Sequence, residues 1–199
     1  DQALAKSEFD DLSRIQISAQ GSIWRKDLRD WDAAGTFQVE NFRYNDVAVK
    51  LATARFSMSP LDYVFDDLKA VFDYEDSPGG SPAGGSRAGT ILVEKIHFDS
   101  KDQLTRLVNL TGTARPGPIL QLFNRKQARH ITETYRFSQP PHLESSGVID
   151  HEGPGRRTDV RTVVKANGET EFDLMGRPLS LGRLAATVRT RYRKNEVSD

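Results

Sequence analysis

The sequence of 199 residues is long enough for one large β domain or two small ones. Its net charge of +0 argues against a general nucleic-acid-binding protein, and its lack of cysteine excludes disulfides, thiolate nucleophiles and cysteine-bound metals. Hydrophobic residues make up 37% of the chain, and their regular spacing is not that of a disordered protein. Because the chain starts without methionine or a signal peptide, we expect a single β domain, 1–199, excerpted from a longer protein.

Alternation of apolar and polar residues begins early in the chain and predicts half-buried antiparallel strands. In the first run, Ile15, Ile17 and Ile23 share one face while Gln16, Ser18 and Gln20 share the other. Phe37 and Val39 precede a polar turn at 44–46. Long strands are predicted over 46–58, 61–74 and 89–99, with a bulge or short helical turn near 66–68 in the second.

The segments between the predicted strands include a flexible loop and a short helix. Residues 77–87 include SPGGSPAGGS, a low-complexity stretch that predicts a flexible loop within the domain. After Pro116, the apolar spacing of Ile119, Leu122 and Phe123 predicts one short helix near 117–130. We expect this helix to cap the apolar side of the sheet, and a second short helix is possible near 102–107.

Alternation returns in the last third of the chain. Val160 and Val164 form one strand pattern, Phe172 and Leu174 another, and Leu184 and Val188 a third. The Asn167–Gly168 pair predicts a hairpin turn, because both residues tolerate positive φ. The expected fold is therefore mainly β: a long-stranded antiparallel meander, curved into a half-pipe or taco-like groove.

No spacing in the sequence indicates catalysis or cofactor binding. The four histidines, at 97, 130, 142 and 151, lie in no metal-site spacing, and no glycine-rich phosphate loop follows a strand. We expect a protein that is not an enzyme, binds neither cofactor nor metal, and does not bind nucleic acid.

What remains is the apolar face itself, which one short helix cannot cover. The sheet must close on itself, leave an apolar trough for a hydrophobic ligand, or hold a filled core. The residues expected to line such a groove are Ile15, Ile17, Phe37, Val39, Val47, Val49, Leu51, Val160, Val164, Phe172, Leu174 and Val188.

Two stretches resemble the AsmA-like family of bacterial envelope proteins. In 35–76, a glycine-led strand is followed by a Tyr44-containing turn and a long alternating strand. In 110–153, a helix after Gly-Pro is followed by a strand pair built on Phe137, Pro140 and Pro141, and 172–188 continues the similarity. The resemblance covers about 35–193 and rests on glycine, proline and apolar positions.

The resemblance implies a periplasmic β-groove that binds or conducts phospholipid or another acyl lipid and serves lipid transport or outer-membrane homeostasis. It also implies other envelope proteins as partners, with membrane anchoring supplied by parts outside this chain. The family offers no catalytic residues to transfer. The alternative is a structural or assembly scaffold with a filled core that supports outer-membrane biogenesis.

Overall fold

The structure of the protein is a computed structural model, which describes residues 7–23, 31–44, 47–73, 88–117, 119, 134–151, 157–174 and 177–191. These residues form twelve strands: β1 (Ser7–Ile23), β2 (Trp31–Tyr44), β3 (Val47–Met58), β4 (Asp62–Asp73), β5 (Ala88–Asp99), β6 (Leu104–Thr113), β7 (Tyr135–Phe137), β8 (His142–Asp150), β9 (Asp159–Ala166), β10 (Thr170–Leu174), β11 (Arg177–Leu181) and β12 (Leu184–Arg191). The prediction of a mainly β, antiparallel fold is confirmed.

Nine of these strands form one antiparallel sheet in the order β1-β2-β3-β4-β5-β6-β8-β9-β12. Strands β1 to β6 are a plain meander in which each strand pairs with the next in sequence. The sheet is open, because β1 and β12 end it on opposite sides and do not pair with each other. The three strands β11-β10-β7 form a separate small sheet.

The prediction of a hairpin at Asn167–Gly168 is wrong, because the chain passes there from the large sheet to the small one. Asn167–Gly168 was expected to join two paired strands, but β9 stays in the large sheet while β10 pairs with β7 and β11. The chain therefore leaves the large sheet at this turn and returns to it as β12, directly beside β9.

The connection between β5 and β6 corrects a second expectation. A carboxylate oxygen of Asp99 accepts hydrogen bonds from the backbone N–H groups of Lys101 and Asp102, both at 3.0 Å. These bonds close a tight turn that ends at Gln103, where φ is 51°. Strand β6 starts at Leu104, so the possible helix near 102–107 is absent.

Of the remaining predictions, the bulge near 66–68 falls on described residues, whereas the loop and the helix fall wholly or mostly outside them. A bulge does interrupt β4 near 66–68, because Asp67 has a φ of 52° and the β3–β4 register shifts opposite it. The loop at 77–87 lies outside the described residues. Of the helix expected near 117–130, only residues 117 and 119 are described, and both are helical.

The main buried cluster lies on one side of the central strands. It contains Val47, Val49, Ala70, Phe72, Ile91, Val93, Leu110, Ala114, Ile119 and Leu143. Ala114 and Ile119 come from the segment that follows β6, so this segment covers part of the sheet. Since burial of apolar surface is the main stabilising contribution to folding, the central strands hold the sheet together.

Candidate functional surface

One face of the nine-stranded sheet is largely apolar. Residues directly opposite each other in an antiparallel pair point to the same side, so the register assigns each side chain to a face. One directly paired row crosses all nine strands: Ile15, Val39, Ala52, Ala70, Ile91, Gly112, Leu143, Val164 and Ala186. We call this the Ile15 row, and the side to which it points the apolar face.

A second row on the same face also crosses the whole sheet. It consists of Ala19, Gly35, Phe56, Phe65, Ile96, Leu107, Gly147, Val160 and Thr190. Between the two rows lie Ile17, Phe37 and Ala54 at one side of the sheet, and Leu68, Val93, Leu110, Ser145, Thr162 and Val188 further across. The hydroxyls of Ser145 and Thr162 hydrogen-bond to each other at 2.9 Å on this face. Neither of the two complete rows contains a charged residue.

The opposite face is polar. The row adjacent to the Ile15 row on that face runs through Gln16, Gln38, Thr53, Lys69, Leu92, Thr111, Glu144, Val163 and Thr187. Polar side chains bridge the strands of this face: Lys165 Nζ forms an ion pair with Glu144 at 2.7 Å, and His97 Nε2 lies within hydrogen-bonding distance of Asp62, at 2.7 Å. The sheet therefore has one face suited to water and one that is not.

Neighbouring cations and N–H groups lower the pKa of several carboxyls on the polar face. The side-chain hydrogen bond from Arg189, with the nearby charge of Arg191, lowers the pKa of Asp159 from 3.8 to about 2. The hydrogen bond from Lys165 lowers the pKa of Glu144. Backbone hydrogen bonds, that of Asp102 foremost, lower the pKa of Asp99. These carboxyls are thereby held in their ionised form.

Burial on the apolar face falls from the centre of the sheet to its edges. Phe72 and Val47, on β4 and β3, are each 1% exposed. At the edges, Ile15 and Ile17 on β1 are 54% and 65% exposed, and Val188 on β12 is 53% exposed. The centre of the face is thus a covered core, whereas its margins present apolar side chains to solvent.

Nine of the twelve residues expected to line a groove lie on this face: Ile15, Ile17, Phe37, Val39, Val47, Val49, Val160, Val164 and Val188. Leu51 does not, although simple alternation would group it with Val49. The β3–β4 register shifts between these two residues, and Leu51 stands opposite Glu40 and Val71 on the polar face.

Phe172 and Leu174 also lie elsewhere, because they belong to β10 of the small sheet. There the ring of Phe172 stacks on that of Tyr135, with centroids 6.2 Å apart. Among the residues expected to cap the face, Ile119 is 7% exposed and belongs to the main buried cluster. Leu122 and Phe123 lie outside the described residues.

The central part of the face, on β4 to β6, was not predicted from the sequence. Leu68, Phe72, Ile91 and Leu110 were not assigned, although they pack in or against the buried cluster. On β5 the apolar positions change from odd (Ile91, Val93) to even (Ile96, Phe98), so period-two reasoning assigned no single face. These strands could be recognised in the sequence by their high content of apolar residues, but not by an alternation of apolar and polar residues.

The described ranges hold few groups that could support other chemistry. No three His, Asp or Glu side chains among the described residues could together hold a metal ion. No described helix is long and apolar enough to cross a membrane. No protein-family model, curated protein or solved structure matches this chain.

Proposed function

We propose that the apolar face binds the acyl chains of phospholipid or a related lipid, as part of an envelope protein in lipid transport or outer-membrane homeostasis. The observation that carries this proposal is the pair of uncharged rows that cross all nine strands. The role requires no bond to be made or broken. The periplasmic location and the curvature of the sheet into a groove are part of the proposal and rest on the AsmA-like resemblance.

The dimensions of the face suit an acyl chain. Nine strands spaced about 4.8 Å apart give a sheet about 38 Å wide. A bilayer core is about 30 Å thick, so one leaflet's chain spans about 15 Å and fits along either row. Transfer of each CH₂ group from water to such a surface contributes about 0.8 kcal/mol.

The exposed margins are where lipid is expected to contact the sheet. Ile15 and Ile17 lie at one margin and Val188 at the other, and all three are more than half exposed. Charged headgroups would extend beyond the face into water. Acyl chains lying on these residues would remove exposed apolar surface that the fold itself does not cover.

The test uses matched substitutions on the two faces. Ile17→Asp and Val188→Asp interrupt the apolar face, whereas Gln16→Asp and Thr187→Asp place the same charge one residue away on the polar face. All four positions are exposed, so each variant is expected to fold. The purified chain would be delipidated and incubated with labelled phosphatidylethanolamine and phosphatidylglycerol.

We expect the two apolar-face variants to retain several-fold less lipid than the wild-type chain, and the two polar-face variants to match it. A photoreactive residue at Ile17 should crosslink to lipid, whereas one at Gln16 should not. Absence of lipid from the wild-type chain, or equal crosslinking at the two positions, would contradict the proposal.

The buried cluster favours a second candidate, a structural scaffold with a filled core. Ala114 and Ile119 already cover part of the apolar face over β3 to β6. A scaffold would take up no lipid, and Ile17→Asp would then affect neither lipid retention nor stability. The same experiment therefore distinguishes the two functions.

A further inference from the structure

Two hydroxyl groups lie side by side on the apolar face, on β8 and β9. Ser145 and Thr162 stand directly opposite each other, between the Ile15 row and the second row. Ser145 Oγ lies 2.9 Å from Thr162 Oγ1, and either hydroxyl can be the donor in this bond. Both residues are half-buried, so a ligand that lies on the face can reach them.

The direct neighbours of this hydroxyl pair on the face are all apolar. They are Leu110 and Val188 across the sheet, Leu143 and Gly147 along β8, and Val160 and Val164 along β9. The pair is therefore an isolated polar site within an uncharged surface. A carboxylate or phosphate finds no cation among these neighbours to compensate its charge, whereas a neutral acceptor requires only an O–H donor.

The pair has a hydrogen bond to give. Each hydroxyl carries one hydrogen and two acceptor positions, and the bond between them uses one of the two hydrogens. Ser145 Oγ also lies 3.3 Å from the carbonyl oxygen of Arg161, a longer contact than that to Thr162. When Ser145 donates to Thr162, the hydrogen of Thr162 is left for an acceptor that a ligand supplies.

Gly147 leaves space on the face beside Ser145. Its φ is 153°, and a Cβ added there would lie 2.2 Å from the carbonyl oxygen of Asp159, so the position requires glycine. Beyond it, the second row continues through the half-buried Leu107, Ile96 and Phe65. From β8 to β4 is three strand spacings, about 14 Å, close to the length of about 15 Å that one leaflet's acyl chain spans.

We infer that Ser145 and Thr162 bind the ester carbonyl of an acyl lipid, whose chain then passes over Gly147 along the second row. Leu110 and Leu143 on the other side are buried and offer the chain no free surface. This role rests on the proposed function and narrows the ligand to ester-linked lipids, in which each chain begins at a carbonyl group. An ether-linked chain has no such acceptor.

The test removes the two hydroxyls and keeps the shape of the side chains. Ser145→Ala with Thr162→Val replaces both partners by apolar groups, so neither is left with an unpaired hydroxyl and the variant is expected to fold. Ser145→Thr with Thr162→Ser exchanges the two residues and keeps both hydroxyls. Thr111→Val with Thr187→Val removes two hydroxyls from the polar face and is the control.

Each delipidated chain would be incubated with two phosphatidylethanolamines of equal chain length, one ester-linked and one ether-linked. We expect the wild type, the exchanged variant and the control to retain roughly threefold to tenfold more of the ester-linked lipid. The Ala/Val variant should retain both lipids equally. An isotope-labelled ester carbonyl should stretch at lower frequency in the wild-type complex than in that variant, because a donated hydrogen bond weakens the C=O bond.

Equal retention of the two lipids by the wild type would overturn ester recognition and leave the proposed lipid binding intact. Retention of neither lipid would contradict both. A preference that persists in the Ala/Val variant would also overturn ester recognition, because Ser145 and Thr162 would then only join β8 to β9. Loss of the preference in the control would overturn it as well, since the polar-face hydroxyls lie on the other side of the sheet.

Discussion

At the scale of single residues, left-handed positions keep the apolar face continuous. Asn41, Asp67 and Asn109 have φ values of 51°, 52° and 48° and lie on β2, β4 and β6. At each of these positions the apolar residues switch between odd and even numbers, yet they remain on one face. Phe42 shares a face with Val39, and Leu110 shares a face with Leu107. Each position therefore rotates the strand by one residue and keeps its apolar side chains on the same face.

Side-chain bonds hold these residues in place. Asn41 Nδ2 donates to the carbonyl of Leu12 at 3.2 Å, Asp67 pairs with Arg55, and Asn109 Nδ2 donates to Glu94. Asn and Asp tolerate the left-handed region better than other residues with a Cβ. The residue types were visible in the sequence, but their φ values depend on pairing with neighbouring strands and could not be predicted from it.

The left-handed conformation of Asn109 can be tested directly. Asn109→Val is expected to lower the free energy of unfolding by about 1–3 kcal/mol, because a β-branched residue is strained at positive φ. Asn109→Gly, which also loses the bond to Glu94 but accepts this φ, should cost less. Urea denaturation measures both, and equal losses for the two variants would contradict the assignment.

At the scale of elements, strands could be predicted and their partners could not. The predicted strands 46–58, 61–74 and 89–99 correspond to β3, β4 and β5 within one residue at each end. The turn at Asn167–Gly168 was recognised as a turn, but whether its two strands pair with each other depends on distant β7 and β12. Local sequence carries no information on that choice.

The pairing of β12 with β9 gives a prediction at this scale. Asp159 stands directly opposite Arg191 and bonds to Arg189, so its carboxylate joins the last strand to the sheet. The pKa of Asp159 is lowered, from 3.8 to about 2, so its stabilising contribution is complete above 3.8 and is lost as pH falls towards 2. We expect Asp159→Asn to melt at a lower temperature than the wild type near neutral pH.

The difference in melting temperature between the wild type and Asp159→Asn should disappear as the pH falls through the range in which Asp159 titrates, because the wild-type carboxyl is then protonated as well. Arg189→Gln should reproduce the loss, and Arg191→Gln should have a smaller effect, because Arg189 makes the dominant hydrogen bond. A difference in melting temperature that is the same at all pH values would contradict this account.

At the scale of the whole molecule, stability is expected to decrease from the centre of the sheet to its edges. Each strand of the large sheet pairs only with its immediate neighbours, and the buried cluster lies on β3 to β8 with Phe72 and Val93 among its most buried members. Local opening free energies in proteins follow such differences in burial. That the sheet is open, with a covered centre, could not be derived from the sequence, since closure and filling depend on long-range packing.

Native-state hydrogen exchange measures this gradient. Amides of β4 and β5 that bond within the sheet should exchange most slowly, and those of β1 and β12 fastest. Uniform protection across the sheet would show instead that it unfolds as one unit.

The left-handed residues on β2, β4 and β6 each accompany a change of face in more than one strand. The β2–β3 register is the same on both sides of Asn41, and the β4–β5 and β5–β6 registers are the same on both sides of Asp67 and Asn109. Strands β2 and β3 therefore change face together, as do β4, β5 and β6, and the register shifts lie where these groups meet their neighbours, at β1–β2, β3–β4 and β6–β8. A hairpin inserted inside one group would widen the sheet by about 10 Å and leave these shifts in place.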